Sequence, residues 1–453
     1  MSRFRNRSEL LSHGAVKARR TALDCLEAAL AAVDTYQGTR RIVRLQDGQL
    51  RVGELCIDLA QTGRVFVVGA GKGAYPIARA LEEILGPRIA RGVVATKELP
   101  AEPLGRIRLL QAGHPVPDQR SLCAGQAIQG IAAEAREGDL VLACLTGGCS
   151  ALMVLPVEGV TLEDKIGLNR LLLRTGAQIG EMNAVRKHVS RIKGGGLVQL
   201  FQPARVITFT QDTAPEALPW PDPAVPDPST FAQAIEVLRR YEIWEETPER
   251  IRRHLERGLR DPSLETPKRF EGGQAPVFDV GNPRSACLAA VERARELGYS
   301  AHVLSTLLEG ESREAGIVLA GIAKEIRRHR RPFAPPCVLA SAGETTVAIR
   351  GAAGSGGPNQ ETVLGFAGSI LRDPGVALVS IDSEGTDGPT EIAGGIADSE
   401  TVPRLKAAGL TLHEVLRGHD SSTALKALGD AVITGPTYTN VVNLRVLVIE
   451  DGE

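Results

Sequence analysis

The sequence predicts a two-domain α/β protein, and three observations predict it. Strand-like and helix-like segments alternate through both halves, which calls for helices layered on sheets. Two apolar strands, Val65–Val68 and Leu140–Leu145, run straight into glycine-rich turns followed by helical spacing. The length of 453 residues exceeds what one core normally holds, so two domains, each with its own core, are expected.

In chain order, residues Ser8 to Asp34 read as an amphipathic helix rich in Ala and Leu, and Arg41 to Asp58 as a short β excursion. Val65-Phe66-Val67-Val68 is an apolar, β-branched run of the kind buried on both faces of a sheet. Gly69-Ala70-Gly71-Lys72-Gly73-Ala74 follows, then Ile77, Ala78, Leu81, Ile84 and Leu85 at helical spacing. Glycines there let the backbone approach a ligand closely, and a helix N-terminus presents N–H groups to an anion. With Lys72 adding a mobile charge, the stretch reads as a phosphate or carboxylate cradle. It is not GxxxxGK[ST]. It half-matches the dinucleotide fingerprint through Gly69, Gly71 and Ala74, but the next strand, Gly92–Thr96, leads into Lys97 before an acid, Glu98. A turn used only to pack helix on strand is the alternative.

Ile107–Leu110 is a further strand, ending at Gly113-His114-Pro115-Val116-Pro117-Asp118, where His114 is either a ligand contact or a plain loop histidine. After a helix over Ser121–Glu137, Leu140–Leu145 runs into Thr146-Gly147-Gly148-Cys149-Ser150 and repeats the first design. Ligands of open parallel sheets gather at such strand ends. Beyond a helix over Leu162–Gln178, Arg186, Lys187, Ser190 and Lys193 fall at i, i+1, i+4 and i+7, one cationic and hydroxyl face if helical. A solvated face is the other reading. Gln211–Pro228 is a Pro-rich loop, of a kind that is usually functional or disordered. Phe231–Arg260 is helical, and Asp261–Pro276 reads as an interdomain linker.

The second half gives a helix over Asn282–Gly298, a strand at Ala301–Leu304, a helix over Leu307–Arg330 and a strand at Cys337–Ala340. Val376–Ile381 leads into the segment Asp382–Glu391, whose four acids in ten residues suit a Mg²⁺ or polyol site, or a plain acidic turn. Lysine plus arginine (53) balances aspartate plus glutamate (54), which argues against a nucleic-acid or membrane-surface binder. Seven cysteines at scattered spacings fit a reducing compartment, and none has zinc spacing. With no long apolar run and no apolar signal core, a soluble cytoplasmic protein is expected.

Several stretches together resemble the class II glycerate 2-kinase family, formerly called hydroxypyruvate reductases. They are GAGKGA (69–74), GHPVPD (113–118), LTGGCSAL (145–152), MNAVRKHVSRIKGGGL (182–197), VPDPSTF (225–231), SAGETTV (341–347), GGPNQE (356–361), GTDGPTE (385–391) and ITGPTYTNV (433–441). The resemblance implies a Rossmann-like doubly wound domain over 1–260, a linker over 261–281 and a smaller C-terminal α/β domain over 282–453, with a cleft between the domains. It implies transfer of the γ-phosphate of ATP to the 2-hydroxyl of D-glycerate or a related small hydroxy acid, with Mg²⁺. Phosphoryl transfer needs phosphates cradled, charge neutralised and a hydroxyl positioned.

By that resemblance Lys72 and Asp212 would be catalytic, Lys72 neutralising charge on the transferred group. Gly69, Gly71, Gly73, Thr146, Gly147, Gly148 and Ser150 would cradle the nucleotide. Asn183, Arg186, Lys187, Lys193, Glu344 and Asn359 would hold the acid, and Asp212 and Asp387 the metal. A homodimer is the expectation from base rates. The sequence departs from the family at three places. The Asp-rich SDVxGD loop has become Thr210-Gln211-Asp212-Thr213-Ala214-Pro215-Glu216, with Asp222-Pro223-Ala224 where SGPT is usual. Ser355 replaces the arginine of GRGG, and TNVND reads Thr439-Asn440-Val441-Val442-Asn443. Changed ligand loops on a kept scaffold leave two alternatives beside the kinase: an altered or inactive paralogue that binds an acid or nucleotide, and an NAD(P)-dependent reductase.

Overall fold

The computed structural model describes residues 2–211, 222–271, 273, 275–349 and 351–451. Asp212 lies outside them. The chain divides into two compact units, Thr35–Val280 and the pairing of Met1–Asp34 with Gly281–Glu453.

Thr35–Val280 opens with a helix, Thr35–Ile42, and an antiparallel meander, Val43–Gln46, Gln49–Val52 and Leu55–Asp58. Six parallel strands follow: β1 (Val65–Ala70), β2 (Ile89–Thr96), β3 (Ile107–Gln111), β4 (Leu140–Leu145), β5 (Arg205–Thr210) and β6 (Val277–Asp279). Their order is β3-β2-β1-β4-β5-β6. This is the doubly wound order, whose switch point falls between β1 and β4. Alternation along β1 sends Phe66, Val68 and Ala70 to one core and Val65 and Val67 to the other. In β4, Val141, Ala143 and Leu145 go one way and Leu140, Leu142 and Cys144 the other. Period 2 with both faces covered is what a buried parallel strand requires.

The other unit is built on a mixed sheet of β7 (Ser300–Ser305), β8 (Cys337–Gly343), β9 (Val376–Asp382), β10 (Gly394–Asp398), β11 (Ala431–Val432) and β12 (Asn443–Ile449), in the order β7-β8-β12-β9-β10-β11. Only β7 and β8 run parallel among the paired neighbours. Helices Val16–Ala32 and Pro283–Glu296 cover one face; Ser312–His329 and Pro358–Ser369 cover the other.

Two expected boundaries are corrected. Residues up to Asp34 fold with the C-terminal unit. Leu23, Leu26 and Leu30 are buried in that unit's core, and each contributes roughly 1.5–3 kcal/mol of burial. Arg19, fully buried, ion-pairs Asp398 at 2.5 Å and Asp430 at 2.7 Å. The expected linker 261–281 is instead largely part of the first unit's core and sheet edge. Phe270 packs into the core, the Thr266 hydroxyl donates to Asp227 at 2.9 Å, and Val277–Asp279 is β6. No helix among the described residues is long and apolar enough to cross a membrane.

Candidate active site

β1 and β4 are adjacent and in register, Ala70 opposite Leu145, so the two glycine turns leave the sheet side by side. They are tied to their surroundings and to each other. The Gly71 N–H donates to the Ala95 carbonyl (3.1 Å), the Lys72 N–H to the Gly147 carbonyl (2.9 Å), and the Gly73 N–H to Thr146 Oγ1 (2.9 Å). Only glycine fits position 71, because a Cβ there would lie 2.0 Å from Thr146 Oγ1. At Gly69 a Cβ would meet the Cys144 carbonyl oxygen at 2.0 Å. The expected cradle in the first turn is thus corrected: the amides of 71–73 are occupied, and Gly69, Gly71, Gly73 and Thr146 join the turns. The first turn also carries the Lys72 side chain. It passes beside Gly148, where a Cβ would sit 3.4 Å from Lys72 Cγ and 3.1 Å from the His114 ring. The N–H groups of Gly147 and Gly148 meet no acceptor among the described residues.

Against Gly148 lies a cavity of about 240 Å³. Lys165 and Asn169, one turn apart on helix Leu162–Arg174, line it with Arg186 of helix Ile179–Lys187, Lys193, Ser150 and His114. Its volume falls below the roughly 300–1,000 Å³ of drug-sized sites, so it suits a small metabolite. Among the described residues three cations converge on it, and no lining residue is acidic. Burial, then Lys193 and Arg186, hold the Lys165 ammonium down to about 7. Burial also lowers Lys193 and Arg186 below their ordinary values. Among the described residues a counter-charge is provided by Asp222, 3.8 Å from Lys193. Lys165 donates to the Val189 carbonyl (3.0 Å), and Lys193 to Ser150 Oγ. Arg186 reaches Asn183 Oδ1 at 3.4 Å, while its Nε is buried with no partner. A small anion would complete this set: unneutralised charge in a confined space raises its affinity for a carboxylate or phosphate.

Lys187 does not line the cavity. The helix ends at that residue, so the i+4 and i+7 face expected beyond it does not exist, although Arg186 and Lys193 still converge. Lys187 is 6 % exposed and pairs with Asp227 (3.2 Å) and Asp222 (3.6 Å). Asp227, fully buried, also accepts from the Ser229 N–H and from the Ser229 and Thr266 hydroxyls. The expected substrate contact at Lys187 is therefore corrected to an internal ion pair that anchors the 222–230 segment.

In the other unit, the residues expected at a ligand are turned inward. Asp387 is buried and accepts from the Asn359 N–H (3.1 Å), Asn359 Nδ2 (2.9 Å) and the Gln360 N–H (3.0 Å). Burial pushes its carboxyl up to about 6. Asn359 Nδ2 also donates to Asn443 Oδ1 (2.7 Å), and its Oδ1 accepts from Ser380 Oγ (2.5 Å). Gln360 bonds Ser422 Oγ (2.6 Å), and Glu361 pairs with His419 (2.8 Å). Asp387, expected at the metal, and Asn359, expected at the substrate, are thus buried and hydrogen-bonded within the fold. Glu344 is exposed at the end of β8 and acts electrostatically on Arg445, a buried guanidinium held down to about 10 by burial. The Ser355 amide donates to Asp420 in an exposed loop. Among the described residues no group of three or more His, Cys, Asp or Glu side chains could hold a metal ion. Asp212, one of the two residues expected at Mg²⁺, lies outside the described residues.

Sequence reasoning missed Lys165, Asn169 and Asp222. One signal was present: Lys165 precedes the buried Leu168 and Leu172 by three and seven residues, so it sits on the helix's buried face.

Comparison with known proteins identifies the family. The family described as a domain of unknown function (DUF4147) matches residues 21–256, and the MOFRL family matches 337–443. The chain is 39 % identical over 437 residues to the glycerate 2-kinase of Pyrococcus horikoshii, covering 96 % of this chain and 98 % of that one. It is 40 % identical over 387 residues to the D-glycerate 2-kinase of Thermotoga maritima, covering 84 % and 90 %. The crystal structure of glycerate kinase from Thermotoga maritima superposes with a TM-score of 0.83 at 36 % identity, over 95 % of this chain and 99 % of that one. With this identity sustained over nearly its whole length, the chain belongs to the glycerate 2-kinase family.

Proposed function

We propose that this protein transfers the γ-phosphate of ATP to the 2-hydroxyl of D-glycerate. One observation carries the reading: a small cavity with three converging cations, set beside Lys72 at the sheet's switch point, in a chain that aligns nearly end to end with glycerate 2-kinases. Arg186 and Lys193 take the acid's carboxylate, which supplies a counter-charge that no described lining residue provides. Lys72 and the Gly147 and Gly148 amides face the nucleotide's phosphates and stabilise charge that grows on the transferred group. The 2-hydroxyl oxygen then attacks the γ-phosphorus in line, and the bond to the bridging oxygen breaks with its electrons on ADP.

The reductase alternative loses its support. The amides of the first turn are occupied, and β2 ends at Thr96 before Lys97, without the acid that binds a dinucleotide's ribose. The altered-paralogue alternative rests on the changed loops, and one experiment separates it from the kinase. ADP release from Mg-ATP is followed with D-glycerate and a panel of three- to six-carbon hydroxy acids. D-glycerate should turn over at roughly 1–10³ s⁻¹. Silence across the panel with ATP still bound would favour the paralogue.

A further inference from the structure

We propose that Asn169 bonds the hydroxyl that is not phosphorylated, the 3-hydroxyl of D-glycerate, and so selects dihydroxy acids over monohydroxy ones. That role rests on the phosphotransferase reading above. Asn169 lies on helix Leu162–Arg174 and lines the 240 Å³ cavity. It is half-buried, and its side-chain amide bonds no described residue. Asparagine in the interior of a helix is a poor choice for the helix itself, ranking well below leucine or lysine. Its amide offers two donors and a carbonyl acceptor, a capacity that folding leaves unused.

The cavity wall is of two kinds. Lys165, Arg186 and Lys193 lie close enough to oppose one another's charge, and they make its cationic part. Lys165 also donates to the Val189 carbonyl at 3.0 Å, which holds its head there. Asn169 is four residues, about 6 Å of helix, further along the same face. Ala151, Val154, Leu168 and Val189 add apolar wall.

With the carboxylate on Arg186 and Lys193, the third carbon of a three-carbon acid extends away from the cations. A hydroxyl on that carbon, pressed against apolar wall, would lose the hydrogen bonds it makes in water. Asn169 replaces them: Oδ1 accepts the hydroxyl proton, and Nδ2 donates to its oxygen. A lysine or arginine can do only the second, because neither carries an acceptor. An acid ending in a methyl group leaves the amide unpaired, so the site disfavours it. The contact is the same before and during phosphoryl transfer, and it therefore acts on KM, not on kcat.

The test compares ADP release from Mg-ATP with D-glycerate and with D-lactate, which keeps the carboxylate and 2-hydroxyl but ends in a methyl group. The full-length wild type, Asn169→Leu, Asn169→Ala and Arg186→Met are used, each first shown to be folded by its melting transition. The wild type should favour D-glycerate in kcat/KM by at least about 10²-fold. Asn169→Leu, close in volume and better suited to a helix, should raise the KM for D-glycerate by about 10²-fold. Its kcat should stay within about threefold and D-lactate should fare no worse, so the preference shrinks below about tenfold. Asn169→Ala, which admits water to the hydroxyl, should show an intermediate preference. Arg186→Met should weaken both acids alike and keep the wild-type preference, because both carry the carboxylate. The assignment is overturned if the Asn169 variants retain the wild-type preference. It is also overturned if they lower kcat for both acids alike, which would place Asn169 at the 2-hydroxyl. A wild type that turns over both acids equally overturns it too, with the phosphotransferase reading intact. A wild type that releases no ADP with either acid defeats that reading, and the role of Asn169 with it.

Discussion

Two regions of this molecule carry the family's motifs, and their polar residues are in opposite conditions. Around the 240 Å³ cavity of Thr35–Val280, Lys165, Arg186 and Lys193 converge with one carboxylate nearby among the described residues, where the buried Arg186 Nε also meets no partner. In the C-terminal unit, Asn359, Gln360, Asp387 and Asn443 bond one another, and Asp387 alone takes three donors. Both regions are rich in glycine and polar side chains, and sequence treats them alike. What separates a ligand site from a scaffold is hydrogen-bonding and charge capacity left over after folding. A buried polar group that is fully partnered holds the fold together, whereas one left incomplete awaits a ligand.

The comparison can be broken by substitutions that should act on activity in one region and on stability in the other. The largest effect is expected at Lys72. Lys72→Ala should lower kcat by about 10³-fold or more with little change in melting temperature, because its ammonium stabilises charge that appears in the transition state. An unchanged kcat would mean that the wrong loop faces the phosphates. Arg186→Met should raise the KM for D-glycerate by roughly 10²-fold, the worth of a charge-assisted contact, without destabilising the protein. Removing one of three mutually repelling cations even relieves repulsion in the free enzyme.

Asp387→Ala should do the reverse. It strands the Asn359 N–H, Asn359 Nδ2 and Gln360 N–H, and should cost about 3–5 kcal/mol by denaturant unfolding. The Asp387 carboxyl also imposes a pH slope. Its folded-state value lies near 6, above the ordinary carboxyl near 4, so between those values the folded chain binds more protons than the unfolded one. Stability should therefore fall as pH rises from about 4 to 6, by roughly 2–3 kcal/mol from this group, and Asp387→Ala should lack that component. A wild-type curve that instead rises by that amount relative to the variant would contradict the assignment. The smallest effect is expected at Val442, a β-branched residue at φ 58° where the family motif has Asn. Val442→Asn should stabilise by about 1 kcal/mol, since Asn tolerates the left-handed region and valine does not.

Much of this was legible in the sequence because it is local. The run Val65–Val68, the glycines after it and the repeat of that design at Leu140–Gly148 specify a strand-turn-helix unit wherever they occur, and the doubly wound order follows from their recurrence. Arg186 and Lys193 line one cavity, although not as the continuous helix face expected, because the helix ends at Lys187. What was not legible is non-local. The N-terminal helix joins the C-terminal unit through Arg19, whose partners Asp398 and Asp430 are 379 and 411 residues away. Lys187 looked equivalent to Arg186, and only the fold brings Asp227 to it. That Asp387 and Asn359 bond each other inside the fold was not legible either, because residue type does not report how hydrogen-bonding capacity is filled.

The most direct test is calorimetric titration of D-glycerate into the wild type, Arg186→Met and Asn359→Ala, each first shown to be folded. If leftover charge makes the site, Arg186→Met should weaken binding by at least about tenfold, while folded Asn359→Ala binds as the wild type does. Unchanged affinity in Arg186→Met, with binding lost in Asn359→Ala, would place the acid in the C-terminal unit and contradict the account.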